Sequence, residues 1–448
     1  MDAITLEQVL EARDAREERQ SALLKRYNSP VISFCMNIPG PVKDTPLIRR
    51  AFFEGRDALR GALDRELLRV LKAEERLANT GCEYLCAVKG DAFTVKRLCV
   101  QIEDANTLGR LFDMDVLMPD GTKLDRDTAE GGERNCIVCG AKERGCVSQR
   151  IHSVEELQAA ARRIMTEHFR LADRLDIAEK VTRALLEEVY TTPKPGLVDR
   201  SNNGSHNDMT VETFERSVKA LRPYWAICVE IGQDTADLPP EQTFAQLREP
   251  GKKAERDMFA ATGGVNTHKG AIFTLGVLCG ALGRLWRPEA ICRDVERISR
   301  ECSVMTKAAM RAELDALTPE TAHTTGEKVF LERGLRGIRG EVSDGLLSVK
   351  NIALPMIHDA MKAGYNRNRA GVYALLALIA RGRDTNMIAR GGRERAAVAS
   401  KWAEELLYHC SFPPLTAVEV LNRKFVAENL SPGGCADLLS AAYLLDSL

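Results

Sequence analysis

The feature that most restricts the fold of this chain is a change of pattern about a third of the way along it. From Val154 to the end, apolar residues recur at helical spacing and no convincing hairpin interrupts them. That spacing predicts helices over residues 154–175, 177–190, 211–233, 270–285, 291–317, 346–362, 369–380, 396–408 and 415–429. Helices without strands can bury their apolar stripes only against one another, so an all-α domain is expected here. The links between them are unusually rich in Gly, Asn, Asp and His, which puts the active-site loops between helices.

Before about residue 150 the chain mixes short apolar runs with helical stretches, as in an α+β domain. Thr5 and Gln8 make a capping box for a charged helix reaching Tyr27. Residues 31–37 read as a buried strand stopped by Pro39-Gly40-Pro41. Residues 46–79 read as one long helix with Phe52, Leu59, Leu63, Leu67 and Leu71 along one stripe. Residues 83–88 and 93–102 flank Lys89-Gly90-Asp91 and predict a hairpin. Leu117 and Met118 run into a turn at Pro119-Asp120-Gly121. The expected architecture is multidomain: an N-terminal α+β domain over residues 1–172, then a larger all-α domain over residues 173–448.

Composition removes several function classes. With 63 Lys+Arg against 64 Asp+Glu, the net charge of −1 creates no bulk field for a polyanion, so a phosphate ligand needs a local basic site. Aromatics are only 5% and no basic-aromatic motif appears, which argues against nucleic acid. The start is highly charged rather than a secretory signal. The longest apolar run, residues 372–380, is far shorter than the ~20 residues that span a bilayer. Thirteen cysteines, an odd number in a long and well-cored chain, suggest reduced thiols rather than a disulfide scaffold. A soluble cytoplasmic protein with no membrane partner is expected.

Four segments of the second half carry chemistry-bearing residues. The first runs from Thr192-Pro193-Lys194-Pro195-Gly196 through Asp199 to His206-Asn207-Asp208-Met209. Asp199, His206 and Asp208 could bind a metal or move a proton; the competing reading is a helix-to-helix loop in which Asp208 caps the next helix. The second, Gly263-Gly264-Val265-Asn266-Thr267-His268-Lys269-Gly270, opens an apolar helix whose first N–H groups favour anions. It lacks the spacing and the Ser/Thr of a Walker A loop, and a plain glycine-rich helix entry competes with phosphate binding. The third is Asp384-Thr385-Asn386 followed by Arg390-Gly391-Gly392-Arg393, a candidate metal, ribose or phosphate clamp or else an exposed turn. The fourth, Ser431-Pro432-Gly433-Gly434-Cys435-Ala436-Asp437, is a second glycine-rich helix entry, which a cap by Ser431 would also explain.

These four segments, in this order, resemble the triphosphoribosyl-dephospho-coenzyme A synthase family that serves citrate lyase, with a relative serving malonate decarboxylase. Gly337-Ile338-Arg339-Gly340-Glu341 is similar to a fifth shared element, and the resemblance covers residues 177–448. Where the family often has another acidic residue after Asp-Met, Thr210 stands here. The resemblance implies that a ribose hydroxyl of 3′-dephospho-coenzyme A displaces adenine from ATP, with the triphosphate retained. Loss of adenine builds positive charge on the sugar, which a carboxylate can stabilise, and the attacking hydroxyl needs a base. On that chemistry Asp199 and Asp208 take the metal and cation-stabilising roles, Asp208 with Mg²⁺, and His206 the proton transfer. Gly263, Gly264, Asn266, His268, Lys269, Asp384, Asn386, Arg390, Gly433 and Gly434 are the expected ATP- and phosphate-binding residues.

In the first half, Asn37-Ile38-Pro39-Gly40-Pro41-Val42-Lys43 and Leu108-Gly109-Arg110-Leu111-Phe112-Asp113-Met114-Asp115-Val116 resemble holo-citrate lyase synthase. That family's implied reaction attaches the prosthetic group to a serine of the acyl-carrier subunit of citrate lyase and releases pyrophosphate. Asp113 and Asp115, spaced two apart, share one face if they lie in a strand and can then hold Mg²⁺ against phosphate; a capped turn with solvated carboxylates competes. Lys43, Arg49 and Arg50 are candidate pyrophosphate contacts. Cys136, Cys139, Cys146 and His152 form a candidate Zn²⁺ set, against free thiols as the alternative. The whole chain reads as a fusion of two consecutive transferases. Its rivals are an all-α nucleotide or ADP-ribose hydrolase joined to a metal-binding module, and a non-catalytic nucleotide-sensing scaffold.

Overall fold

In the computed structural model the chain divides into two compact units, Met1–Ala172 and Asp173–Leu448. The structure describes residues 3–129, 131–382 and 384–448, leaving aside the side chains of residues 143, 144, 147 and 325.

The first unit is built on an antiparallel sheet of four strands in the order β2-β3-β1-β4. Helix α1 (Leu6–Tyr27) starts at the Thr5–Gln8 capping box and leads into β1 (Val31–Met36). Next come α2 (Pro46–Arg65), β2 (Arg69–Ala78), β3 (Gly81–Lys89), α3 (Ala92–Asp104) and β4 (Phe112–Leu117). Consecutive residues of β1 point to opposite faces, so the partners of Phe34 and Cys35 identify what covers each face. Phe34 stacks on Phe52 of α2 at 5.1 Å and meets Phe112 edge-on, which makes that face the core. Cys35 instead meets Arg16 of α1, so α1 lies on the other face.

Two expectations for this unit are corrected. The helix expected over residues 46–79 stops at Arg65, Leu67 turns the chain with φ +54°, and residues 69–78 form a strand. Strand β2 is an edge strand with no fully buried residue, so no period-2 apolar signal marked it. The hairpin is β2–β3, paired up to Ala78 opposite Gly81. Lys89-Gly90-Asp91 is instead a strand-to-helix turn in which the Asp91 carboxylate accepts the Thr94 N–H at 2.8 Å and caps α3. The turn after Met118 does form, with Gly121 N–H donating to the Met118 carbonyl.

The short α4 (Glu143–Ser148) precedes α5 (Val154–Tyr190), one helix where two were expected, and the division between the units falls within it. The second unit continues with α6 (Val211–Asp234), α7 (Pro240–Thr262), α8 (Lys269–Arg284), α9 (Val295–Asp315), α10 (Thr325–Arg333) and α11 (Gly337–Ser343). A π-helical turn, Val349–Ala353, opens α12 (Leu354–Lys362), followed by α13 (Arg367–Ala380), α14 (Thr385–His409), α15 (Leu415–Ala427) and α16 (Gly433–Asp446). No β-strand occurs in this unit among the described residues. Helices α8, α13 and α16 are buried nearly all round and form the centre against which the amphipathic helices pack. Two differences matter for the site. Helix α7 was not expected, because Pro240, Pro250 and Gly251 mask its pattern. Asp384-Thr385-Asn386 and Arg390-Gly391-Gly392-Arg393 stand on the first turns of α14, kinked at Gly392, rather than in a turn before a helix at residue 396. No helix among the described residues is long and apolar enough to cross a membrane.

Candidate active site

A cavity of about 770 Å³ opens in the second unit, near the upper end of the usual range for small-molecule sites. All four segments of the helical half reach its wall, as does the fifth element on α11. His206, Asp208, Asn266, His268 and Lys269 line it, with Asn386, Arg390, Gly433 and Gly434 opposite them in sequence. Three of its cations are already paired with acids: Lys269 with Glu255 at 2.9 Å, Arg339 with Glu327 at 3.2 Å, and Arg336 with Asp344. Apart from the buried pair described below, these groups are partly exposed, so an incoming polyphosphate can take them over at small cost.

The remaining candidates build the wall without lining it. Asp199 is only 2% exposed. Its Oδ1 accepts the N–H groups of Ser201 and Asn202, and its Oδ2 accepts that of Lys194 at 2.9 Å. With both oxygens accepting backbone N–H groups, Asp199 shapes the loop and is not among the residues that line the cavity. Asp384 caps α14 through the N–H groups of Asn386 and Met387 while its other oxygen accepts the Cys435 N–H at 2.8 Å. That carboxylate thereby pins the start of α14 to the start of α16. Gly263 closes α7 in the left-handed region, and Gly264 follows it with φ +91°. The next helix, α6, is capped by Thr210 rather than Asp208, which leaves the Asp208 carboxylate exposed at the cavity.

Two histidines are held neutral by different means. His206 Nδ1 accepts from Arg390 Nη2 at 3.2 Å, so its hydrogen sits on Nε2, 2.8 Å from Ser431 Oγ. Burial and the Arg390 charge pull its pKa down to about 4. His268 is buried, and Thr267 Oγ1 donates to Ser217 Oγ, whose own proton faces His268 Nδ1 at 2.7 Å. The ring hydrogen is then on Nε2, which has no protein partner. Burial, then the Lys194 charge, brings this group down to about 3. A folded-state value below the unfolded 6.5 means stability present above pH 6.5 and lost progressively as pH falls toward 3. Around pH 5 His268 should therefore add about 1.4 kcal/mol per pH unit to the slope of stability against pH. Denaturant titrations of the H268Q variant should lack that increment; an unchanged slope would show that the ring is not held neutral.

Sequence reading passed over three residues here. Lys194 and Glu188 form an ion pair at 2.6 Å with side chains 3% and 5% exposed, at the cavity wall. Asp437 also lines the wall, and a Cβ on Gly270 would fall 1.9 Å from its Oδ2, so only glycine lets α8 begin there. Burial, then the charges of Glu188 and Asp384, raises the Asp437 carboxyl well above the usual range. No local pattern marks Asp437, because its companions Glu188 and Asp384 are 249 and 53 positions away.

In the first unit, Asp113 and Asp115 lie on one face of β4, opposite Cys35 and Ser33 of β1. Helix α1 brings polar groups over that face: Arg19 pairs with Glu83, Arg16 lies 3.4 Å from Glu83, and Gln20 donates to Ser33 Oγ. Cys35 Sγ sits 3.7 Å from Asp113 Oδ2, and Lys123 is 2.6 Å from Asp115. Burial, then the neighbouring Asp115 charge, raises the Asp113 carboxyl; burial and Asp113 push the Cys35 thiol up to about 12. Of the candidate phosphate contacts, Lys43 donates to the Ile38 carbonyl and senses Cys35. Arg49 is held bidentately by Asp44, and Arg50 stacks on Phe169 at 3.9 Å. The positions of Arg16, Cys35, Glu83 and Lys123 are not legible locally, since strand register places Cys35 and Glu83 near Asp113, helix α1 brings Arg16 and the turn after β4 brings Lys123.

Two family profiles match the chain: ATP:dephospho-CoA triphosphoribosyl transferase over residues 174–448, and apo-citrate lyase phosphoribosyl-dephospho-CoA transferase over residues 4–168. The Protein CitXG of Haemophilus influenzae is 32% identical over 98% of this chain and 95% of its own length. That of Leuconostoc mesenteroides is 31% identical over 100% of this chain and 98% of its own. The chain belongs to this fused CitXG family. The 2-(5''-triphosphoribosyl)-3'-dephosphocoenzyme-A synthase of Pectobacterium atrosepticum is 40% identical over 64% of this chain and 94% of its own length. The chain is thus a bifunctional transferase: its CitG domain makes triphosphoribosyl-dephospho-coenzyme A, and its CitX domain serves apo-citrate lyase. The large cavity lies within the CitG domain, and the Asp113–Asp115 face within the CitX domain.

Proposed function

We propose that the 770 Å³ cavity of the CitG domain holds ATP and 3′-dephospho-coenzyme A together, and that its interhelical loops are the active site. The observation that carries this reading is the meeting of five sequence-distant segments on one wall. A ribose hydroxyl of the acceptor attacks the anomeric carbon of ATP and gives its proton to a base, while the bond to adenine breaks and adenine leaves with a proton of its own. Lys269, Arg336 and Arg339 receive the triphosphate by exchanging their present carboxylate partners, and Arg390, held by the Ser205 carbonyl and His206, joins them. His268 offers its neutral Nε2–H to a substrate acceptor. Asp208 is the exposed carboxylate on this wall, and Asp437 a second whose raised pKa suits it to keep or lend a proton. His206 holds the loop geometry through Arg390 and Ser431 and moves a proton only if those bonds open. Orienting two nucleotides in one cavity can itself contribute about 7–11 kcal/mol toward the barrier.

In the CitX domain Asp113 and Asp115 would hold Mg²⁺. Two carboxylates on one strand face, one raised by the other's charge, form a donor set that a hard cation relieves. When bound, the ion supplies polarisation of the phosphate under attack. The carrier serine attacks the α-phosphate and pyrophosphate leaves toward Lys43, Lys123 and Arg16, the cations around that face. The acyl-carrier subunit of citrate lyase is the macromolecular partner, and the free thiols fit a cytoplasmic setting.

The decisive experiment is mass spectrometry of apo-carrier protein incubated with this chain, ATP, Mg²⁺ and dephospho-coenzyme A. The expected result is a carrier heavier by one phosphoribosyl-dephospho-coenzyme A group, with adenine released only when dephospho-coenzyme A is present. Adenine or ribose release without the acceptor would instead mark a hydrolase. Replacing Asp208 by Asn should slow adenine release about a hundredfold, the lower range for loss of one preorganised electrostatic group. Wild-type turnover in that variant would remove Asp208 from the mechanism.

A further inference from the structure

Between β4 and α5 the CitX domain carries a compact group of side chains outside the Asp113–Asp115 face and the CitG cavity. Cys136, Cys139, Cys146 and His152 each offer one ligand atom, and all four atoms lie within 4.8 Å of one another. Cys139 Sγ is 3.4 Å from Cys146 Sγ and 3.3 Å from His152 Nε2. Tetrahedral zinc with Zn–S bonds of about 2.3 Å sets its sulfurs about 3.8 Å apart, so the spacing is close to a filled site. A disulfide needs about 2.05 Å, well short of the observed separation.

The backbone around the first two cysteines is also folded for an ion. The Val138 N–H points at Cys136 Sγ at 3.5 Å, the Gly140 N–H returns to the Cys136 carbonyl at 3.0 Å, and Cys136 N–H donates to Ala141. Gly140 has φ +73°, which lets the chain turn back immediately after Cys139. N–H groups directed at a sulfur favour its thiolate form. On the other side of the group, His152 Nδ1 lies 3.9 Å from Glu156, leaving Nε2 directed at the cysteines. Glu156 is itself fixed by reciprocal bonds with Ser153 at the start of α5. A carboxylate behind a histidine orients the ring and makes it a better ligand.

We infer that Cys136, Cys139, Cys146 and His152 bind a structural zinc ion. The three thiols each lose a proton to solvent as a Zn–S bond forms, and the neutral imidazole supplies the fourth bond. Four protein ligands leave no open position, so the ion holds the chain together rather than activating water. Among the described residues of 131–153 there is one short helix and few core side chains, and an ion there would fasten a segment that hydrophobic burial alone holds weakly. The segment matters because Arg134, two residues before Cys136, donates to the Phe112 carbonyl at 3.1 Å and lies 2.5 Å from Glu103. Phe112 is the first residue of β4, adjacent to Asp113. Zinc would therefore brace the end of the strand that carries the paired carboxylates.

The test uses the full chain without a polyhistidine tag, purified in reductant without chelator. Elemental analysis should find one zinc per chain, and cobalt exchanged in its place should show the strong visible bands of a tetrahedral thiolate site. The C139S/C146S double variant should lose both signals while still releasing adenine through the CitG domain and keeping the wild-type circular dichroism spectrum, which together report that both domains remain folded. The C410S variant, at an exposed cysteine far along the sequence, should keep the full zinc content. Absence of zinc from the wild-type chain, or metal content unchanged in C139S/C146S, overturns the assignment. The outcome is independent of whether the CitX domain transfers the group to its carrier.

Discussion

Replacing Asp113 by Asn should slow loading of the carrier serine about a thousandfold while adenine release by the CitG domain continues at the wild-type rate. The side chain keeps its shape in that variant but loses the charge that a divalent cation needs. Metal-assisted charge stabilisation is worth several kcal/mol, and about 4 kcal/mol corresponds to a factor of a thousand. The folded protein already resists ionising this group, because burial and the Asp115 charge both raise its pKa. A proton thus competes with the cation at Asp113, and the Mg²⁺ concentration needed for half-maximal transfer should rise as pH falls through that raised value. Supplying purified triphosphoribosyl-dephospho-coenzyme A and following carrier mass isolates this step from the first. Loading by D113N at the wild-type rate would falsify the metal-ligand role.

The second large effect is on stability. Lys194→Met should cost about 3–5 kcal/mol, because it leaves the Glu188 carboxylate buried without its counter-ion. Lys194 Nζ also donates to the Glu188 carbonyl at 2.8 Å, so the backbone at the end of α5 loses a partner as well. The loss belongs to the orphaned charge more than to the pair itself, so adding Glu188→Leu should recover a substantial part of it. Urea denaturation of the two single variants and the double variant measures both terms. A Lys194→Met change that costs less than ~1 kcal/mol would mean water reaches the pair, and that it is an ordinary surface bridge.

Legibility varied with how local the physical cause was. The Thr5 capping box and the helices at residues 211–234 and 415–427 could be read because caps and apolar periodicity act over a few residues. The β2–β3 hairpin could not, since an edge strand with little burial writes no alternating pattern. The motif segments of the CitG domain were visible as clusters, yet the jobs within them were not. Asp199 and Asp384 read as ligands in the sequence, and in the structure both accept backbone N–H groups from their own and neighbouring loops. Lys194, Glu188 and Asp437 carry no local signal because their roles depend on one another's charge.

The sequence by itself determined that there are two kinds of domain, that each carries its own transferase motifs, and that helices supply the larger one. Those conclusions follow from periodicity, turn residues and ordered motifs, all properties of contiguous chain. Only the tertiary structure decided which carboxylates face the cavity and which are spent on caps. It likewise decided which cations are paired and which histidine nitrogen is left without a partner. The reason is that burial and charge neighbourhood are set by segments hundreds of residues apart: Ser431 on His206, Asn422 on Gly196, Tyr443 on Thr191. No local window contains both members of such a pair.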